Sequence, residues 1–195
     1  MGLQQLKTNV YMVRHADSPF VFGEERTRGL SEEGLRMALK IADLLDSVEI
    51  HCAVSSTYTR AKQTVQYVAE RKRLPILEFE GLKERAIKGL DYKAPWEELE
   101  LAIEKSFVDH DFCLDGGETT KQAQQRAIPI LLDLIETYEG KNIALGTHGN
   151  IMTIMMNYFD SRYGFDFWHN TTKPDVYRLE FANKQLTHVE RVWDV

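Results

Sequence analysis

Two apolar runs end in histidine: Arg14-His15 follows Asn9 to Val13, and Thr147-His148 follows Asn142 to Gly146. A neutral imidazole nitrogen is a good nucleophile near pH 7. His15 could therefore attack a phosphoryl group in line and hold it as phosphohistidine until water removes it. The charge of a transferring phosphoryl group stays on three oxygens, and guanidinium forks bind such oxygens in pairs. Arg14, next to His15, and Arg60, in Ser55-Ser56-Thr57-Tyr58-Thr59-Arg60-Ala61, fit that task. Arg60 also has a plainer reading as a helix-surface cation, but a cation in a first turn opposes the helix dipole and calls for a local anion. His51, His110, His169 and His188 lack comparable flanks and read as ordinary hydrogen-bonded residues. No His-x-His or His-Glu-x-x-His spacing supports a metal hydrolase, so neither a metal nor a cofactor is expected.

The elements that must hold these residues follow from periodicity. Asn9 to Val13, Cys52 to Ser55, Ile76 to Phe79 and Asn142 to Gly146 are short apolar runs suited to buried parallel strands. Ser31 can cap a helix with Glu32 and Glu33 in its first turn and Leu35, Ala38, Leu39, Ala42 and Leu45 along one face. A second helix follows Ser55, with Arg60 in its first turn and Ala61, Val65, Val68 and Ala69 on one side. Further helices are expected over Trp96 to Phe107, over Glu118 to Tyr138 with a kink at Pro129, and over Ile151 to Tyr158, while Asp109 to Gly117 reads as loop. Val176 to Phe181 alternates, turns at Asn183-Lys184 and returns through Leu186 to Val192, an antiparallel edge hairpin. Alternating strands and helices predict a three-layer α/β/α fold around a mostly parallel sheet, with the ligand site beyond the carboxyl ends of its strands. His15, Arg60 and His148 all fall near such ends.

Composition narrows the partners. At 195 residues, 43% hydrophobic and 28% charged, the chain has ordinary globular usage and the length for a single domain. A formal charge of -6 argues against a nucleic-acid surface or an anionic-membrane surface, both of which select a basic face. The Met1 to Leu6 stretch has no basic-then-apolar signal pattern, and no apolar run approaches the roughly 20 residues of a membrane helix. Cys52 and Cys113 are too few for a disulfide framework and lack the spacing of a zinc site, so they read as reduced thiols. A cytoplasmic protein acting on a small phosphorylated substrate is the expectation.

Four stretches in order strengthen it: Arg14-His15-Ala16-Asp17-Ser18, Ser55 to Thr64, Leu82-Lys83-Glu84 and Gly146-Thr147-His148-Gly149. With Arg28-Gly29-Leu30-Ser31-Glu32-Glu33-Gly34 and Gly117-Glu118-Thr119 as further landmarks, the chain resembles the histidine phosphatase superfamily, also called the phosphoglycerate mutase-like family, over almost its whole length. The resemblance implies one domain over residues 1–195 with an active-site covering insertion at 85–117. It also implies that His148 completes the phosphate pocket as a cation, and that Glu84 is the acid/base. One carboxyl group can protonate the leaving alkoxide and later deprotonate water if burial raises its pKa. By itself Leu-x-Glu is a common tripeptide, and a solvated glutamate is its plain alternative. The acid-phosphatase branch instead carries Asp directly after the second histidine, where this chain has Gly149.

Two departures stand out. The family's usual Gly after the catalytic histidine is Ala16, which would strain any positive backbone angle there, and the Asn of mutase-type members is Val21. The 85–117 stretch holds four cations (Arg85, Lys88, Lys93, Lys105) and eight carboxylates (Asp91, Glu97, Glu98, Glu100, Glu104, Asp109, Asp111, Asp115). That excess is unsuited to a trianionic sugar-acid phosphate, unless several of these acids are the solvated face of the Trp96 to Phe107 helix and a few lysines point inward. The leading reading is a metal-independent phosphomonoester hydrolase, its rival a phosphoglycerate mutase, and a phosphate-binding module without turnover stands third.

Overall fold

A computed structural model describes residues 6–194, so Met1 to Gln5, most of the stretch read above as lacking a signal, lie outside the described residues. Six strands form one sheet in the order β3-β2-β4-β1-β5-β6. β1 (Thr8–Arg14) lies inside it, parallel to β4 (Asn142–Thr147), and β2 (Cys52–Ser56) and β3 (Ile76–Phe79) continue the parallel set. β5 (Asp175–Ala182) runs antiparallel to β1, and β6 (Gln185–Arg191) antiparallel to β5 at the edge. In the hairpin turn Asn183 and Lys184 take φ of 49° and 62°, the left-handed pair whose twist suits a two-residue loop.

Strand alternation builds the layers. Val10 and Met12 pack with Ala127 and Leu131 of α4 (Thr120–Thr137) and with Ile151 and Met155 of α5 (Gly149–Phe159). Tyr11 and Val13 join the opposite cluster, with Ile41 of α1 (Glu32–Leu44) and Val65 and Val68 of α2 (Thr59–Lys72). Because neighbouring strand residues face opposite sides, one apolar run seals two helical layers. The fold is the expected three-layer α/β/α architecture.

Local signals fix the helix starts. The Ser31 hydroxyl accepts from the Gly34 N–H at 3.0 Å and caps α1. α4 begins at Thr120, two residues after the expected Glu118, because Thr119 and Gln122 form a reciprocal capping box. That helix runs unbroken through Pro129. α5 starts at Gly149 directly after β4, with His148 as its N-cap, two residues earlier than the apolar period suggested.

The segment between Glu84 and Thr119 leaves the sheet and returns beside itself. Glu118 N–H donates to the Ala86 carbonyl at 2.7 Å, and Leu114 N–H to that of Ile87 at 2.9 Å. Inside it α3 (Trp96–Val108) buries Ala102 and Ile103, which form a third cluster with Ile87 and with Trp168 of α6 (Phe165–His169), a short helix the periodicity had not indicated. Among the described residues no helix is long and apolar enough to cross a membrane.

Candidate active site

Parallel pairing brings the two histidines together. Arg14 and Thr147 are partners in the β1–β4 register, so His15 and His148 each stand one residue beyond the same rung. His15 N–H donates to the Thr147 carbonyl at 2.9 Å, and the imidazole rings meet edge to face with centroids 5.3 Å apart. β2 ends at the same edge and passes through Thr57 and Tyr58 into α2, whose second residue is Arg60.

His15 is held as a nucleophile would be. One ring nitrogen, Nδ1, lies 2.8 Å from the Ala16 carbonyl, which can only accept, so Nδ1 carries the proton and Nε2 keeps its lone pair. Arg60 Nε–H donates to that Nε2 at 3.2 Å. Burial, then the charges of Arg60, Arg14 and Arg28, push the imidazole well below its ordinary pKa, so it is neutral at neutral pH. Ala16 is not among the residues with positive φ, so its Cβ meets no backbone strain. It is fully buried, with its N–H on the Thr64 hydroxyl at 3.1 Å.

His148 departs from expectation. Full burial, then the charges of Arg60 and His15, push its imidazole well below the usual histidine range, which works against the expected cation. It lies 2.7 Å through Nε2 from the Ser56 hydroxyl and packs edge to face on Tyr58, behind His15 and off the cavity wall.

The arginines form a cationic floor. Arg14 donates through Nη1 to the Thr171 carbonyl at 3.0 Å and also to the Thr171 hydroxyl. Arg60 places both Nη groups on Glu25, on its carboxylate and on its backbone carbonyl. That is the local anion its first-turn position called for. Arg28 pairs with the same carboxylate at 3.3 Å and donates to the Ser18 carbonyl at 2.9 Å. Burial pushes the Arg14 and Arg60 guanidinium groups down from their ordinary range, while Glu84 and Asp175 near Arg14, and Glu25 on Arg60, hold them up. Arg14 Nε and His148 Nδ1 are buried with no partner among the described residues. Orphaned buried groups beside so much positive charge suit an anion with several acceptor oxygens.

Glu84 sits at the start of α5. Its carboxylate accepts the Asn150 N–H at 3.1 Å and the Ile151 N–H at 2.8 Å, an arrangement the helix dipole favours. Arg85 beside it donates to Asn150 Oδ1 at 2.7 Å and to the Ser106 hydroxyl at 2.9 Å, and burial pushes it down to about 10. Arg14, His15, Arg28, Arg60, Glu84 and Arg85 open on one cavity of about 500 Å³. Glu25, Arg28 and Lys173 also line it and were not assigned from sequence. Arg28 lay inside a recognised landmark, whereas Glu25 and Lys173 sit on loops without a motif.

The acidic excess of 85–117 is overturned as an argument about the site. None of its eight carboxylates lines the cavity, while Arg85, Lys88 and Lys93 do. The helical period of α3 turns Glu97, Glu98 and Glu104 to solvent and Ala102 and Ile103 inward. Val21 is 42% exposed and off the wall. Among the described residues no group of three His, Cys, Asp or Glu side chains could hold a metal ion.

A mixed α/β sheet whose parallel strand ends bring His15, Arg14 and Arg60 to one cavity, with Arg28 from a loop and His148 packed behind, has the form of a phosphoryl-transfer site. Residues 10–194 match the histidine phosphatase superfamily, branch 1, and the chain belongs to that family. No curated protein matches it. Among solved structures it is similar to YhfR of Bacillus stearothermophilus, at 24% identity and TM-score 0.74 over 96% of this chain and 98% of that one. A mycobacterial glucosyl-3-phosphoglycerate phosphatase gives 19% identity and TM-score 0.73 over 95% and 97%. A phosphoglycerate mutase of Bacillus anthracis gives 17% and 0.74 over 96% and 93%. At these identities the likeness is one of fold.

Proposed function

We propose that this chain hydrolyses small phosphomonoesters without a metal, through a phosphohistidine formed on His15. The observation that carries it is the His15 tautomer: Nδ1–H is spent on the Ala16 carbonyl, so the Nε2 lone pair meets the arginine floor. In the first step the Nε2–P bond forms as the P–O ester bond breaks, and Glu84 gives the leaving alkoxide its proton. In the second, water attacks phosphorus, its proton passes to Glu84, and the Nε2–P bond breaks to release phosphate. Arg14 and Arg60 are the groups assigned to the phosphoryl oxygens, and His148 backs the nucleophile from behind His15 unless the bound anion reaches its unpartnered Nδ1. An incoming phosphoryl group must take the Arg60 fork from Glu25 and the Arg60 Nε–H from the imidazole.

The 85–117 segment is read as the cover of this site within a single domain. The two free thiols, Cys52 and Cys113, agree with a reducing cytoplasm. Rapid quenching with phosphate-labelled substrate should trap label on the enzyme, and His15→Ala should remove both the label and turnover. Full activity in His15→Ala would sink the mechanism, and conversion of 3- to 2-phosphoglycerate faster than phosphate release would make the enzyme a mutase.

A further inference from the structure

We infer that the natural substrates are phosphomonoesters of a bulky apolar alcohol carrying an aromatic ring, seated against a wall made by Phe20, Phe22, Leu90, Tyr92, Trp96 and Trp168. This rests on the phosphatase reading and extends it to the half of the substrate that leaves.

The cavity of about 500 Å³ falls in the range of small-molecule sites, and a phosphoryl group on the arginine floor occupies only its inner end. Beyond that floor the walls turn apolar. Phe20 is 70% exposed, Trp96 57%, Leu90 55% and Phe22 42%, and all four line this one cavity. Single exposed hydrophobics are ordinary on a protein surface, but several gathered round one opening mark a place where apolar matter binds.

Against the aromatic wall Lys88, Lys93 and Tyr92 have partners, whereas Lys173 and the Nδ2 of Asn150, unpartnered among the described residues, line the same cavity at its inner end, beside Arg14 and Arg85. Lys88 Nζ donates to the Gly89 carbonyl at 2.7 Å and to that of Tyr92, and also lies over the Tyr92 ring, 4.4 Å from its centroid. Lys93 Nζ lies 5.0 Å over Phe22, and the Tyr92 hydroxyl donates to the Asp115 carbonyl at 3.3 Å. A sugar or amino-acid moiety needs a partner for each hydroxyl, amine or carboxylate it buries, and would find few against the aromatic wall, away from Lys173 and Asn150. An uncharged ring needs none, and gains from stacking and from burial of its own surface.

The wall also has a firm backing. Trp96 and Trp168 face each other with centroids 6.2 Å apart and planes 36° apart. Trp168 is packed into the cluster of Ile87, Ala102 and Ile103, so the outer surface it supports is preformed.

The test compares kcat/KM for 2-phenylethyl phosphate and glycerol 3-phosphate on the purified enzyme. Both lose a poor alkoxide leaving group, so their ratio reads the alcohol pocket. We expect the aromatic ester to be preferred by about tenfold or more. Trp96→Ala and Phe20→Ala change exposed side chains, and each should lower that ratio severalfold. A ratio of one or below, or a preference untouched by both variants while both esters and nitrophenyl phosphate are hydrolysed, overturns the substrate class alone. No hydrolysis of any of the three esters overturns the phosphatase reading beneath it.

Discussion

At the scale of single residues, the cationic floor is balanced at Arg60 and Arg28 by a carboxylate that no motif announced. Glu25 holds both Nη groups of Arg60 and pairs with Arg28, so it occupies the fork that a phosphate would use. Removing its charge while keeping its shape should ease that exchange. Glu25→Gln is expected to tighten inorganic phosphate about tenfold, measured by titration calorimetry, since charge-assisted pairs at buried arginines are worth about 1.5–3 kcal/mol. Weaker phosphate binding in that variant would mean that Glu25 orients Arg60 and does not compete for it. His15 and Arg60 could be read from their flanks, because a strand-end nucleophile and a first-turn guanidinium leave local marks in a sequence. The lowered pKa of His148 could not, because it depends on burial behind Tyr58 and on arginines from three separate segments.

At the scale of elements, the site depends on the abrupt passage from β4 into α5. A Cβ on Gly149 would lie 2.7 Å from Arg14 Cζ and 2.7 Å from its Nε, so only glycine lets that guanidinium lie under the start of the helix. The obstructed group is a side-chain end, which can swing aside. Gly149→Ala should therefore fold with a melting temperature within about 5 °C of the parent. Its kcat/KM should fall about a hundredfold, because displacement of a binding group by about 1 Å is costly. Unchanged kcat/KM would remove Arg14 from the phosphate pocket. The strands were legible because apolar runs of four to seven residues admit few other readings, and the hairpin because Asn183-Lys184 separates two alternating runs. Helix starts were less legible where capping outweighed period, as at Thr119. The lining of the cavity was legible least. Whether α3 turns its glutamates or its leucines toward a site depends on how the whole 85–117 excursion folds back on Ala86 and Ile87, which composition alone does not carry.

At the scale of the whole molecule, the phosphate floor is a cost to folding that shows as pH dependence. His15 and His148 are both buried, and desolvation with the arginine charges holds both well below the ordinary value of 6.5. An unfolded chain protonates each near that value, so between the folded and unfolded pKa values the unfolded state binds more protons. Stability is then fully present above about pH 6.5 and declines as pH falls toward the folded values. The slope is about 1.4 kcal/mol per pH unit for each histidine, and about twice that where both titrate. Glu80, whose carboxylate is held down to about 2 chiefly by the Thr57 hydroxyl, titrates far lower and leaves this window clear. Urea unfolding in phosphate-free buffer at about pH 7.5 and about pH 5.5 should therefore show a loss of about 2 kcal/mol or more. Phosphate must be left out because a bound dianion would favour the protonated rings. His148→Gln removes one of the two titrating groups, so its stability, whatever its absolute value, should depend on pH about half as steeply. Equal stability of the unmutated chain at the two pH values would mean that these imidazoles are not held neutral, and the lone pair assigned to His15 Nε2 would lose its physical basis.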